Sequence, residues 1–367
     1  MRIGIPKEIK RHEYRVSATP SDVAGYVRAG HTVFVEVGAG VGAAFSDKQY
    51  RQAGATIVAD PNETYRQAEM IIKVKEPQEQ EYDRLQPGQV LFCFLHLAAS
   101  AKLAQALLAR NVTAICYETI QCQDGTLPCL VPMSEIAGRL AAQEGAKCLE
   151  KPAGGRGLLL SGARGVPAGK VGIIGGGTVG MNAARIAIGL GAQVTILDIS
   201  HKRVADLQEI FAGRVTTLLS TEENLKQVLQ TCDLVIGAVL IPGASAPKLI
   251  KRADLKLMQP GAVIVDVAVD QGGCCETTRP TTHDDPTYVV DGVLHYCVAN
   301  MPGAVPITST RALTAVTSPY GLELADKGLE KAINDNDALR KGVNVINGQI
   351  VHPQVAKSLN LPYREWP

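Results

Sequence analysis

The sequence predicts an α/β protein: two doubly wound parallel-sheet domains flanking a cleft and joined by two helices. Three observations predict it. Short apolar runs alternate with helical patterns from residue 2 onward, and strand and helix in alternation mean a parallel sheet covered on both faces. One long helical pattern beginning at Pro132 interrupts the alternation, which then starts again. A chain of 367 residues is also long for a single hydrophobic core, so two domains of roughly 150 to 200 residues are expected.

In the first series RIGIP (2–6), TVFVEV (32–37), MIIKVK (70–75), VLFCFL (90–95) and VTAIC (112–116) read as strands. Segments such as PSDVAGYVRAG and SAKLAQALLAR between them carry helical spacing. PMSEIAGRLAAQEGAKCLEK then forms a helix with Met133, Ile136, Leu140 and Ala141 at helical spacing, opened by Pro132 and stopped at KPAGG. After the connector GGRGLLLSGARGVPAG a second series follows: KVGIIG (170–175), QVTILD (193–198), RVTTLL (214–219), DLVIGAV (233–239) and AVIVDV (262–267). A last long helical pattern after Asn300 runs to about residue 333. If it crosses back, the tail completes the first domain, giving 1–131 with 305–367 and, between them, 132–304.

Charge excludes several partner classes. Lys plus Arg (37) nearly balance Asp plus Glu (36) without a long run of one sign, so no footprint for nucleic acid or an acidic membrane is present. The partner expected is a small molecule. No apolar stretch reaches the roughly 20 residues that span a bilayer, and MRIGIPKEIK lacks the apolar core of a secretory signal, so the reading is cytoplasmic. Nine cysteines form no CxxC pair and no zinc-like spacing, which makes them buried free thiols of a reducing compartment. The vicinal Cys274 and Cys275 allow a strained disulfide, but nothing argues for one. No residue set is assigned to a metal.

The sharpest motif is KVGIIGGGTVGMNAARIAIGLGAQVTILD. Gly175, Gly177 and Gly180 make G-x-G-x-x-G directly after an apolar strand and directly before a helix, and Asp198 ends the next strand. The first glycine makes a tight turn, the second lets backbone approach a pyrophosphate, and the third lets helix pack on strand. The helix N-terminus adds oriented N–H groups for phosphate oxygens. Asp198 stands where a carboxylate accepts both hydroxyls of an adenosine ribose, which favours NAD over a 2′-phosphorylated cofactor. His201, Lys202 and Arg203 follow closely and leave NADP open. The domain at 132–304 is therefore read as the Rossmann-like NAD-binding domain, and 1–131 with 305–367 as the substrate and catalytic domain.

In open parallel sheets ligands bind outside the carboxyl ends of the strands. Arg15 lies in the loop after RIGIP, Lys75 closes MIIKVK, His96 closes VLFCFL and Asp270 follows AVIVDV. Taken singly, each has a plainer reading: a solvated charge, a salt-bridge lysine, a core histidine, a turn cap. If the two carboxyl edges face each other over the cleft, the four converge. Arg and Lys can then hold a carboxylate and a neighbouring oxygen, while His and Asp move protons as hydride leaves or arrives. The substrate class is a small oxo or amino acid; residue types alone do not separate hydroxy from amino acids.

With these residues in hand, the chain resembles the bacterial L-alanine dehydrogenases along its whole length. The resemblance is carried by GIPKEIKRHEYRVSATP, IIKVKEP, FLHLA, YETIQ, PMSEIAGRLA, GGGTVGMNAA, ALIPGASAPKLI, VDVAVDQGGCCET, VANMPGAVP and NGQIVHPQVAKSLNLPY. It implies reversible NAD-dependent oxidative deamination of L-alanine to pyruvate and ammonium, and a homohexamer. By the family pattern Arg15 and Lys75 hold the substrate carboxylate and carbonyl oxygen, and His96 and Asp270 are the acid–base pair. The resemblance extends the cofactor contacts to Ser134, Thr178, Val179, Asp198, Arg203, Ser220, Val239, Leu240, Val267, Ala268, Val269, Asp270, Arg279, Val298, Ala299, Asn300 and Met301. Some members carry an acid-plus-histidine pair near the position of Glu323 that has been linked to magnesium, whereas here the residue four further on is Lys327.

Three other readings compete. The NAD-binding domain of proton-translocating transhydrogenase shares the GIPKE-, KVKEP- and ALIPG-like blocks but is not expected to keep the histidine of FLHLA. An NAD-sensing module would not need Arg15, Lys75, His96 and Asp270 together. Saccharopine-forming dehydrogenases are more distant relatives with larger substrates.

Overall fold

The alternation in the sequence becomes two separate sheets. The structure, a computed structural model, describes residues 1–239 and 246–366. It divides into one unit of Met1–Met133 with Gly303–Pro367 and a second of Ser134–Pro302.

The first unit begins with β1 (Arg2–Ile5), α1 (Pro20–Arg28), β2 (Thr32–Glu36), α2 (Asp47–Gln52), β3 (Thr56–Val58), α3 (Pro61–Gln67), β4 (Met70–Ile72), β5 (Val90–Cys93), α4 (Ala101–Ala109) and β6 (Thr113–Cys116). Helix α5 (Val131–Cys148) leads into the second unit: β7 (Lys170–Ile174), α6 (Thr178–Gly189), β8 (Gln193–Asp198), α7 (His201–Phe211), β9 (Thr216–Leu219), α8 (Glu222–Thr231), β10 (Leu234–Gly237), β11 (Val263–Asp266), β12 (Thr287–Val290) and β13 (Val293–Tyr296). The first unit is completed by α9 (Pro306–Lys327), α10 (Leu329–Asp335), α11 (Asp337–Lys341), β14 (Val343–Ile346), β15 (Gln349–Ile350) and α12 (Pro353–Leu359).

The strand orders are β15-β14-β6-β5-β4-β1-β2-β3 and β12-β13-β11-β10-β7-β8-β9. The α/β class and the doubly wound, parallel-dominated sheets expected from the alternation are found. In both, the order reverses beside the first strand, between β1 and β4 in one sheet and between β7 and β10 in the other. These are the positions where doubly wound sheets open a crevice for ligand. Arg15 follows β1 and Lys75 follows β4, while the glycine loop follows β7.

Not every strand pair is parallel. Strands β12 and β13 pair antiparallel, as do β14 with β15 and β14 with β6. Both hairpins turn on two residues at positive φ: Asp291 (48°) with Gly292 (82°), and Asn347 (52°) with Gly348 (67°). That is the type I′ geometry which Asp-Gly and Asn-Gly supply at low strain.

Helix starts follow local chemistry. Thr19 accepts from the Asp22 amide while the Asp22 carboxylate accepts from the Thr19 amide, a reciprocal cap ahead of Pro20. Ser46 and Gln49 do the same for α2. Beneath the first sheet Leu91, Cys93, Leu95, Leu103, Leu107 and Val345 are buried in one cluster; beneath the second lie Ile174, Leu197, Leu229, Val235 and Ile264. Each such side chain contributes about 1.5–3 kcal/mol relative to exposure. All nine cysteines are free, and all but Cys122 are buried.

Candidate active site

In the first unit the loop after β1 carries Arg15, which is not a solvated charge. Its side chain is 2% exposed. Its Nε and one terminal nitrogen donate to the two carboxylate oxygens of Glu13 at 2.6 and 2.5 Å, and the other terminal nitrogen lies 3.0 Å from Met133 Sδ. This forked pair fixes the guanidinium plane. Burial opposes the Glu13 charge, but Arg15 beside it holds the carboxyl below its usual range.

Strands β4 and β5 are adjacent and parallel, with Ile72 opposite Phe92. Three residues past each strand end come Lys75 and His96, whose Nζ and Nε2 are 3.1 Å apart. A lysine ammonium has no acceptor, so a charged Lys75 at this distance faces an unprotonated imidazole nitrogen. Phe94 backs both groups: its ring is stacked on His96 (centroids 6.0 Å, 6° between planes) and lies 5.9 Å from the lysine nitrogen. Burial lowers the Lys75 pKa, and the positive charges of Arg15 and Lys10 lower it further against Glu76 and Glu13.

His96 sits at φ 47°, ψ 39°, a left-handed conformation uncommon for non-glycine residues. Glu118 braces it. Its carboxylate accepts from the amides of His96 (2.5 Å) and Leu95 (3.3 Å), and one oxygen lies 3.6 Å from His96 Nδ1. Glu118 was not singled out in the sequence, although it belongs to YETIQ. The register Cys93 opposite Cys116 is what brings it beside a histidine 22 residues earlier.

The second unit holds the glycine loop. Gly175 has φ 99°, and a Cβ there would meet Ala238 O at 2.7 Å. A Cβ on Gly180 would stand 1.9 Å from Gly175 O, so the helix rests directly on the loop. Above Gly177 a Cβ would meet nothing within 4 Å. That open space over the backbone, at the N-cap of α6, is the cradle a pyrophosphate needs, with the unpaired amides of the first turn at its base.

Asp198, ending β8, anchors this loop. One carboxylate oxygen accepts from Gly176 N (2.8 Å) and the other from Ser200 N (2.9 Å). Ser220 donates its amide to Asp198 O at 2.8 Å, and Arg203 Nε donates to Gly176 O at 2.7 Å. Gly177, Thr178, Val179, Asp198, Arg203 and Ser220 are thus gathered at one sheet edge. Val239 follows β10; Leu240 lies outside the described residues.

Asp270 stands on a short 3-10 turn, Val267–Gln271, immediately after β11. Buried Asp266 shapes it, accepting from Ala268 N (3.1 Å) and Cys274 N (2.8 Å). Ala268 and Val269 are buried beneath, and the Asp270 side chain is exposed. The Arg279 guanidinium lies 4.2 Å over the Tyr288 ring. Val298 and Met301 are buried, and Ala299 N donates to Thr281 O at 3.2 Å. Asn300 has φ 60°. Ser134 lies in α5 and opens the second unit.

Among the described residues no group of three or more His, Cys, Asp or Glu is placed to hold a metal. At the position raised by the resemblance, Lys327 Nζ lies 2.9 Å from Glu323 and 3.0 Å from Asp335.

Residues 4–137 match the family described as "Alanine dehydrogenase/PNT, N-terminal domain", and residues 141–353 match its C-terminal counterpart. The chain belongs to the alanine dehydrogenase/PNT family. A curated alanine dehydrogenase of Methanococcus maripaludis is 54% identical over 364 residues, covering 99% of this chain and 98% of that one. A solved L-alanine dehydrogenase superposes with a TM-score of 0.96 at 51% identity, covering 98% of this chain and 99% of the other. A transhydrogenase from Sinorhizobium meliloti shares the fold, with a TM-score of 0.80 at 24% identity over 96% of this chain and 99% of its own. Within the family, the recognition made from the sequence blocks is borne out over the full length. No described helix is long and apolar enough to cross a membrane.

Proposed function

We propose that this chain is an NAD-dependent alanine dehydrogenase, catalysing reversible oxidative deamination of L-alanine to pyruvate and ammonium. The observation that carries the reading is the Lys75–His96 contact at 3.1 Å, held by Glu118 and neighboured by a buried, oriented Arg15, in a chain 54% identical throughout to a curated alanine dehydrogenase. Arg15 and Lys75 hold the substrate carboxylate and carbonyl oxygen; His96 and Asp270 are the acid–base pair. The open backbone over Gly177 and the Asp198 carboxylate support NAD, held by the glycine loop with Gly175, Gly177, Thr178, Val179 and Gly180 and by the further contacts at Ser134, Arg203, Ser220, Val239, Leu240, 267–270, Arg279 and 298–301.

NAD, when bound, accepts the hydride from the substrate Cα. The work of the chain is proton management. The ammonium of alanine loses a proton before hydride departs, water adds to the resulting iminium, and the carbinolamine needs one proton removed from oxygen and one placed on nitrogen. Two titratable groups suit that sequence, and His96 Nε2 lies 3.1 Å from Lys75 Nζ, the group that holds the substrate. The carboxylate of alanine or pyruvate meets guanidinium and ammonium together. Family resemblance supports a homohexamer, and nine unpaired cysteines support a cytoplasmic setting.

The transhydrogenase reading is disfavoured by His96, which hydride exchange between nucleotides does not require. Absorbance decides: that of NADH falls on addition of pyruvate plus ammonium but not with 2-oxoglutarate plus lysine, and with the acetylpyridine analogue of NAD alone, whose reduced form absorbs at longer wavelength, no reduced analogue appears. Oxidation by a second nucleotide without pyruvate would overturn the reading.

A further inference from the structure

The segment Lys73–Lys75 continues beyond β4, tied down through several of its backbone groups. Ser17 Oγ donates to Ile72 O (2.7 Å), Lys73 N donates to Phe92 O (3.1 Å), and Phe94 N donates to Val74 O (3.1 Å). The Val74 amide is diverted to a side chain, donating to Glu8 Oε1 at 2.6 Å. The other Glu8 oxygen lies 3.2 Å from Lys73 Nζ, which is also 3.0 Å from Glu81. Lys73 is 0% exposed, Glu8 3% and Glu81 1%. Tyr65 donates to Glu81 Oε1 and Gln78 N to Glu81 Oε2, both at 2.7 Å.

A buried ion cluster of this kind is a poor device for stability, since desolvating the charges offsets most of their attraction. Its geometry suggests another use. Glu8 shares a loop with Arg15, and Lys73 precedes Lys75 by two residues. We infer that Glu8, through the Val74 amide and the Lys73 ammonium, is a positioning residue that fixes Lys75 against His96. The inference deepens the proposed function and rests on its assignment of Lys75 to the substrate. Lys73 itself stays charged: burial opposes its charge, but Glu8, Tyr65 and Glu81 push its pKa well up.

Glu8→Gln tests it. The amide oxygen still reaches Val74, but its NH2 group is set against the Lys73 ammonium, donor against donor, so the segment must shift. A displacement near 1 Å costs a positioned group up to about 100-fold; the expected loss in kcat/KM for pyruvate is about 10- to 100-fold, with KM for NADH within about twofold. The second readout is pyruvate binding to the NADH complex, followed by nucleotide fluorescence against pH without ammonium. Lys75 faces Arg15, Lys10, Glu13, Glu76 and His96. Once loosened it meets water, so the alkaline loss of pyruvate binding moves up in pH. Lys73→Met in the same chain removes the clash, and the double variant recovers part of the loss. Glu8→Asp keeps a carboxyl on a shorter arm and shows an intermediate loss, with circular dichroism confirming its fold.

Unchanged pyruvate kinetics and an unchanged alkaline limb in Glu8→Asp or folded Glu8→Gln overturn the inference, as does an equal rise in KM for NADH. Lys75→Ala separates the two levels. If it loses pyruvate binding while the Glu8 variants do not, the inference alone fails. If Lys75→Ala binds pyruvate normally, the assignment of Lys75 fails and the inference with it.

Discussion

Two glycines three residues apart should fail in opposite ways when each gains one methyl group. A Cβ on Gly180 would stand 1.9 Å from Gly175 O, whereas the closest ordinary carbon–oxygen contact is about 3.3 Å. Helix α6 or the loop must therefore retreat by about 1.4 Å, the difference between that contact distance and the one on the structure. Overpacking of this kind costs about 1–3 kcal/mol. In a domain of this size each kcal/mol is worth about 2–4 °C, so Gly180→Ala should melt roughly 2–12 °C lower. Gly177 offers the contrast: nothing lies within 4 Å of its Cβ position, and its φ is −66°, which any residue adopts. Gly177→Ala should hold its melting temperature, or gain slightly from a stiffer unfolded chain. It should still bind NADH at least about tenfold more weakly, because the methyl occupies the approach of the pyrophosphate, equivalent to about 1.4 kcal/mol. Scanning calorimetry without nucleotide and fluorescence titration with NADH read the two effects. Equal melting losses in both variants, or unchanged NADH affinity in Gly177→Ala, would refute the reasoning.

His96→Ala should lower turnover by about two to four orders of magnitude, the range for an acid–base group, with NADH affinity little changed; steady-state kinetics and titration check it. Asp198→Gly should raise the KM for NAD and narrow the preference over NADP, and an unchanged KM would count against the ribose role. Pyruvate binding to the NADH complex should weaken as pH rises through the depressed Lys75 pKa, because the charged form lies below it; Lys75→Arg should remove that limb from a fluorescence titration. Glu118→Ala removes the carboxylate that accepts from the His96 and Leu95 amides, so the imidazole loses its support; turnover should fall by about ten- to a hundredfold, and unchanged turnover would deny Glu118 its role.

Much of this site is legible in sequence because ligand chemistry in doubly wound sheets gathers at strand ends, and strand ends can be read from apolar runs. Lys75 and His96 follow that logic, as does the glycine loop, whose spacing states its own geometry. Glu118 does not, because its place beside His96 comes from the parallel register of β5 and β6, which no local pattern encodes. No local pattern marks Glu8 or Lys73; only tertiary closure buries them. The apolar runs MIIKVK and VLFCFL predict strands to residues 75 and 95, yet β4 ends at Ile72 and β5 at Cys93. The reason lies in the diverted Val74 amide and the left-handed turn at His96. The hairpins β12–β13 and β14–β15 were missed although Asp291-Gly292 and Asn347-Gly348 are strong turn signals; short edge strands beside a long parallel series are easily passed over.

The central claim is that hydride leaves the Cα of alanine for NAD on this chain. Incubation with NAD and alanine deuterated at Cα, followed by mass spectrometry of the products, tests it most directly. Pyruvate and reduced nicotinamide carrying one deuterium should form in equal amounts, and both should be lost in His96→Ala. Reduced nicotinamide without deuterium, or no pyruvate at all, would contradict it.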